Sequence, residues 1–186
     1  MIDKVNTSDR ISSGLIARNG QGEQLHAQGY FTAWCVGADG VEKWRELFPN
    51  TVMTLGKNDI LDKFLKGATY TQTVRMGLAG TGTKAVADTQ ASHAGWLEVG
   101  LANAPTYTGD RKAVTFGAAA GGVSASPVQA FAITSSGTVS GCFINNGGSA
   151  TKDDTTGVLI SAGNFTEGDR VVVNGDTINV TYTLTL

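Results

Sequence analysis

Apolar and polar positions alternate most cleanly at the C-terminus. Ile178, Val180, Tyr182, Leu184 and Leu186 interleave with Thr177, Asn179, Thr181, Thr183 and Thr185. A period of two puts each set on its own face of a strand, one buried and one turned to solvent or a partner. Just upstream, residues 169–173 read as a strand, Asn174-Gly175 as a type I′ turn and 176 onward as the return, so a terminal hairpin is predicted. The aromatic and β-branched run 30–36 predicts another strand. Ala38-Asp39-Gly40 supplies its turn and residues 41–48 return. Pro49-Asn50 then interrupts the ladder, because proline has no N–H to give.

Shorter β-like runs fill the middle, at 73–78, 112–116, 128–134, 139–144 and 158–160. Of these, 128–134 and 139–144 are expected to pair through Ser135-Ser136-Gly137, and loops are expected at 79–95, 118–126 and 147–156. One helix is predicted over 59–66. Asn58 serves as its N-cap, Asp59 suits the positive end of the dipole, Lys63 and Lys66 suit the other, and Gly67 stops it. Ile60, Leu61, Phe64 and Leu65 recur at helical spacing, and this face is expected to pack into the core. Residues 1–28 are polar and broken at Ser12-Ser13-Gly14 and Asn19-Gly20-Gln21-Gly22, with too little apolar surface to order themselves. The chain therefore divides into an extended N-terminal arm, 1–28, and a β-domain, 29–186. The arm is either a loose tail or a segment that orders against a neighbour. Many short strands, glycine-rich turns and one short helix define an all-β fold, an antiparallel β-sandwich or jelly roll.

At 186 residues the chain is long enough for one full core. Fourteen basic and sixteen acidic residues leave a net charge of -2, without the clustered basic excess that nucleic acid demands. Charged residues make up 16%, below the roughly 25% of ordinary domains, so attachment to any partner is expected through uncharged surfaces. No apolar run is long enough for a membrane-spanning helix or a signal-peptide core, so neither nucleic acid nor membrane is expected as a partner. Cys35 and Cys142 sit far apart in apolar surroundings and are read as two buried thiols; whether they pair stays open.

Chemistry-bearing patterns are sparse. Gly77-Leu78-Ala79-Gly80-Thr81-Gly82-Thr83-Lys84 resembles a phosphate loop but breaks the spacing, and no helical pattern follows; it is read as a loop. His93 lies beside Ser92 and Asp88, yet no nucleophile elbow is present, and it is read as a loop residue bonded to backbone. His26 stands alone in the arm. Asp153-Asp154 beside Thr155 and Thr156 lacks calcium-loop spacing and is read as a turn cap. No catalytic, cofactor-binding or metal-binding residue is assigned, no cofactor is expected, and the chain is expected not to be an enzyme.

Three blocks carry a resemblance. They are Thr54-Leu55-Gly56-Lys57-Asn58-Asp59-Ile60-Leu61-Asp62-Lys63-Phe64-Leu65-Lys66-Gly67, Ala91-Ser92-His93-Ala94-Gly95-Trp96, and Thr156-Gly157-Val158-Leu159-Ile160-Ser161-Ala162-Gly163-Asn164-Phe165 running on to Gly175-Asp176-Thr177-Ile178-Asn179-Val180-Thr181-Tyr182-Thr183. Together they resemble a family of small structural proteins of tailed bacteriophages and prophages, over residues 29–186. The resemblance implies a virion component made in the host cytoplasm, with no catalytic residues to transfer. Two roles are expected to compete. One is a capsid decoration or cement protein that binds the assembled head through the major capsid protein, bridges neighbouring subunits and self-associates as a homo-oligomer. The other is a tail component, fibre anchor or receptor-binding module, for which Trp96 and Tyr107 are the loop aromatics able to face a glycan.

Overall fold

A computed structural model describes residues 27–71 and 73–186; the expected arm therefore lies almost wholly outside the described residues. β1 (Gln28–Val36) and β2 (Glu42–Pro49) form the expected hairpin, with Gly40 in the left-handed region at φ 78°. Alternation along β1 buries Phe31, Ala33 and Cys35 and turns Tyr30, Thr32 and Trp34 outward. The other edge of β1 pairs with β13 (Thr177–Thr185) over nine residues, from Gln28↔Thr185 to Val36↔Thr177. Ile178, Val180 and Tyr182 are buried as their period requires, while Leu184 is half-buried and Leu186 exposed at the chain end. β7 (Val123–Ala125) and β8 (Gln129–Ala132) pair with the far edge of β13 and complete this sheet.

At Pro49-Asn50 the chain crosses to a second sheet. Its strands are β3 (Thr51–Val52), β4 (Val74–Gly82), β5 (Trp96–Val99), β10 (Gly141–Asn146) and β11 (Val158–Asn164), ordered β3-β11-β10-β4-β5. β6 (Lys112–Ala113) pairs beside β4, and β9 (Gly137–Val139) pairs with β12 (Arg170–Val172) as a separate ribbon. All the pairings are antiparallel, and the two large sheets face each other as an all-β sandwich. Phe31, Phe48, Ile178 and Tyr182 from one sheet pack with Met76, Leu78, Cys142 and Ile144 from the other. Phe165 closes an edge, its ring 4.9 Å from that of Phe48. The second sheet is covered on its other face too, where Met53, Ala79, Trp96, Phe143, Leu159 and Ala162 cluster. β10 is buried at all six positions, so its sequence shows no alternation: Cys142-Phe143-Ile144 run together and the buried Asn145 and Asn146 follow.

Several expectations need correction. The glycines of 77–82 lie in strand β4, where a loop was expected. A Cβ at Gly77 would sit 2.4 Å from the Phe143 ring, and Gly82, at φ 130°, would drive a Cβ into the carbonyl of Gly95. Here glycine makes room for its neighbours on the adjacent strands instead of breaking the strand. The expected pairing of 128–134 with 139–144 does not form. β8 pairs with β13 in one sheet, and β10 lies between β4 and β11 in the other. The expected terminal hairpin is also absent. Asn174-Gly175 does turn, with Gly175 at φ 93°, but β12 pairs with β9 and β13 with β1. The Gly175 N–H donates to the Ile133 carbonyl at 3.0 Å, and the Asp176 carboxylate accepts from the Val173 N–H and from Lys43, fixing a corner between sheets. The 112–116 strand shrinks to two residues, and the 118–126 loop contains β7.

Candidate interaction surface

The helix α1 (Thr54–Phe64) starts five residues before its expected beginning, so Asn58 lies inside it. Its N-cap position is Met53, which makes no side-chain cap. Tertiary partners take the cap's place. The Met53 N–H donates to the Ile160 carbonyl at 2.9 Å, and the Thr54 N–H to that of Val86 at 3.0 Å. Gly56 is the buried residue of the helix, and a Cβ there would lie 2.6 Å from the Ile160 carbonyl oxygen. The helix backbone thus rests directly on β11.

This close approach sets which face is left outside. At about 100° per residue, Leu61 and the C-cap residue Leu65 fall on the side away from Gly56, and Phe64 falls on the flank between. Phe64 is 84% exposed, Leu65 73% and Leu61 49%. The apolar face read from the sequence is real, but the expectation that it packs into the core is wrong; Ile60 alone of the four turns partly inward. The helix carries charge beside this ridge, in Asp59–Lys63 at 3.7 Å and Asp62–Lys66 at 3.9 Å, pairs that largely cancel. What remains is an apolar ridge at the surface, the kind of patch that marks an interaction site.

The other candidate residues have structural employment. His93 donates its Nδ1–H to the Trp96 carbonyl, 3.0 Å away, and stacks on the Trp96 ring. Asp88 Oδ2 accepts from Trp96 Nε1 and from the Ala85 N–H, at 2.9 Å each. The carboxylate imagined for a triad is therefore spent on the indole. Asp153, at φ 63°, accepts from the Ala102 N–H, and Asp154 accepts from the N–H and hydroxyl of Thr156, capping the turn. Trp96 and Tyr107 are both only 2% exposed, which removes the two aromatics nominated to face a glycan. Cys35 and Cys142 are buried free thiols, and burial pushes the Cys35 thiol up to about 11.

Two polar arrangements escaped the sequence reading. Lys84 donates to the carbonyls of Gly80 and Gly82 and to Ser140 Oγ at 2.9 Å, and burial lowers its ammonium to about 8. A serine beside a lysine of low pKa is a pairing that some hydrolases use. Ser140, however, is 2% exposed and its hydroxyl donates to the Gly80 carbonyl, so the pair staples the irregular end of β4. The second arrangement is a buried ion pair. Arg111 Nε and Nη2 donate to Glu98 at 2.9 and 2.6 Å, with side chains 0% and 3% exposed. Arg111 also donates to the Asp154 carbonyl, and Glu98 accepts from the Asp153 N–H, so the pair clamps the 147–157 loop to the second sheet. The two partners lie thirteen residues apart with no periodic signal between them, so no local pattern joins them. No family model, no curated protein and no solved structure matches this chain.

Proposed function

We propose that this chain is a structural protein of a tailed-phage or prophage virion, a decoration or cement protein that binds the assembled head. The observation that carries the reading is the outward ridge of Leu61, Phe64 and Leu65 on a helix held flat by Gly56. Such a ridge loses exposed apolar area only when a partner covers it. The low charged fraction and the resemblance over residues 29–186 support the same reading. The partner is the major capsid protein, contacted across subunit boundaries, and copies self-associate on the lattice. The role involves neither catalysis nor cofactor, membrane or nucleic acid. The tail and receptor-binding alternative loses support with the burial of Trp96 and Tyr107.

A protein that binds the assembled shell and not its free subunits stabilises the shell by linkage. Heads carrying the protein and heads lacking it are heated side by side, and genome release is followed by dye fluorescence. Release at a higher temperature from decorated heads is the expected outcome. Coincident release curves, or recovery of the protein from purified tails only, would refute the role.

A further inference from the structure

Between the two sheets, against the inner side of α1, lies a cavity of about 240 Å³. Ile60, Val74, Phe116, Ile144, Ile160 and Leu184 give it an apolar wall. Its polar lining includes Asn146, which is 8% exposed. Asn146 Nδ2 donates to Asp59 Oδ2 at 3.0 Å. A carboxylate only accepts, so this bond fixes which way the amide faces. The other atom, Asn146 Oδ1, is then buried with no donor in reach among the described residues. Its neighbour shows the contrast. Asn145 donates to Gln90 and to the Thr156 carbonyl, and its Oδ1 accepts from the Gly148 N–H. Five other side-chain polar atoms are buried without a partner among the described residues, Asn50 Oδ1 among them, but of these residues Asn146 is the one that lines the cavity, and an orphaned acceptor there needs an explanation.

We propose that the cavity is a binding site for a compact neutral ligand, an apolar ring or branched chain bearing one N–H or O–H group that donates to Asn146 Oδ1. Size favours something smaller than a drug-like molecule, whose sites span about 300–1,000 Å³. Neutrality follows from the charges present: Asp59 and Lys63 both line the cavity and face each other at 3.7 Å, so neither is free for a counter-charge. One donor suffices because one acceptor is open. The site is independent of the particle role, since it lies on the inner side of the helix and not on its exposed ridge.

Indole and 1-methylindole separate this proposal from simple hydration of the amide, because they share a ring system and only indole has a donor. Each is titrated into the isotope-labelled full chain, following the Asn146 side-chain amide and the methyls of Val74, Ile144 and Leu184 by NMR. Indole is expected to shift those signals and to bind at least about tenfold more tightly than 1-methylindole, the effect of one hydrogen bond. Asn146→Leu should bring the two affinities together. Ile60→Trp, which fills the cavity from the helix side, should abolish binding and serves if the first variant fails to fold. Equal affinity of the two probes for the unmodified chain, shifts located elsewhere, or no binding up to the solubility of indole would each overturn the proposal.

Discussion

Replacing Arg111 with Met would strand the Glu98 carboxylate in the interior. The two side chains are 0% and 3% exposed, and two hydrogen bonds of 2.9 and 2.6 Å join them. Without the guanidinium, Glu98 keeps the Asp153 N–H as a donor and loses the counter-charge it contacts among the described residues. Breaking a buried pair from one side costs about 3–5 kcal/mol, because the survivor stays charged and desolvated. Glu98→Leu should cost a similar amount by stranding Arg111. The double variant removes both charges and takes one hydrogen bond each from the Asp153 N–H, the Ser149 carbonyl and the Asp154 carbonyl, the last of which keeps Gln90 as a donor, at no more than about 1 kcal/mol each. It should therefore be more stable than either single variant, with a coupling of at least about 3 kcal/mol. Urea denaturation followed by tryptophan fluorescence reads this directly. At a slope of about 2 kcal/mol per M, each single variant should unfold roughly 2 M earlier than the parent. Single variants costing under about 1 kcal/mol, or effects that add within about 0.5 kcal/mol, would refute the clamp.

Gly77→Ala should cost about 1–3 kcal/mol, because its Cβ would lie 2.4 Å from the Phe143 ring and the core cannot yield that far; a melting temperature unchanged within error would contradict this. Stability should also fall at both ends of the pH scale. Burial alone would raise the Glu46 and Asp176 carboxyls, but hydrogen bonds from Thr166 and Arg170 to the first, and from Lys43 and the Val173 N–H to the second, hold both below their usual values. Their contribution is present above the ordinary values of 4.5 and 3.8 and lost as pH falls through the depressed ones. Cys35 works in the opposite sense: burial and the nearby Asp176 raise it from 9.0 to about 11, so its contribution is present below pH 9 and lost as pH rises toward 11. Relative to Cys35→Ala, the parent should lose up to about 1.4 kcal/mol per pH unit in that window, and parallel curves for the two proteins would contradict it. Phe64→Ser should change folding stability by no more than about 0.5 kcal/mol, since the ring is 84% exposed.

The sequence carried the sandwich where burial is one-sided. β1, β2 and β13 each have one face on the core and one outward, so Phe31, Ala33 and Cys35 or Ile178, Val180 and Tyr182 announce themselves by alternation. The second sheet is covered on both faces, and there the signal fades. β4 reads as glycines and β10 shows no alternation, because what decides them is the Phe143 ring over Gly77 and not any local period. Pairing partners are less visible still. Asn174-Gly175 has ideal turn chemistry, yet its flanks join different sheets through the corner held by Asp176 and Lys43. The helix shows how pattern and placement separate. Its apolar spacing was legible, but the side resting on the sheet is chosen by Gly56, which has no side chain to register in a hydrophobic pattern. The clamp of Glu98 and Arg111 and the open acceptor of Asn146 arise from long-range packing, which single-sequence periodicity does not encode.

Attachment of the protein to purified heads tests the proposed role most directly. Wild type is compared with the Phe64→Ser, Leu65→Ser double variant by co-sedimentation, at salt concentrations of about 0.15 and 1 M, which shorten electrostatic screening from about 8 to 3 Å. Burying an exposed Phe or Leu is worth about 1.5–3 kcal/mol, so losing both should weaken attachment at least about 100-fold. Wild type should stay bound at both salt concentrations, because the ridge is uncharged. Retention of the double variant on heads at wild-type affinity, or release of wild type by salt alone, would contradict attachment through this helix.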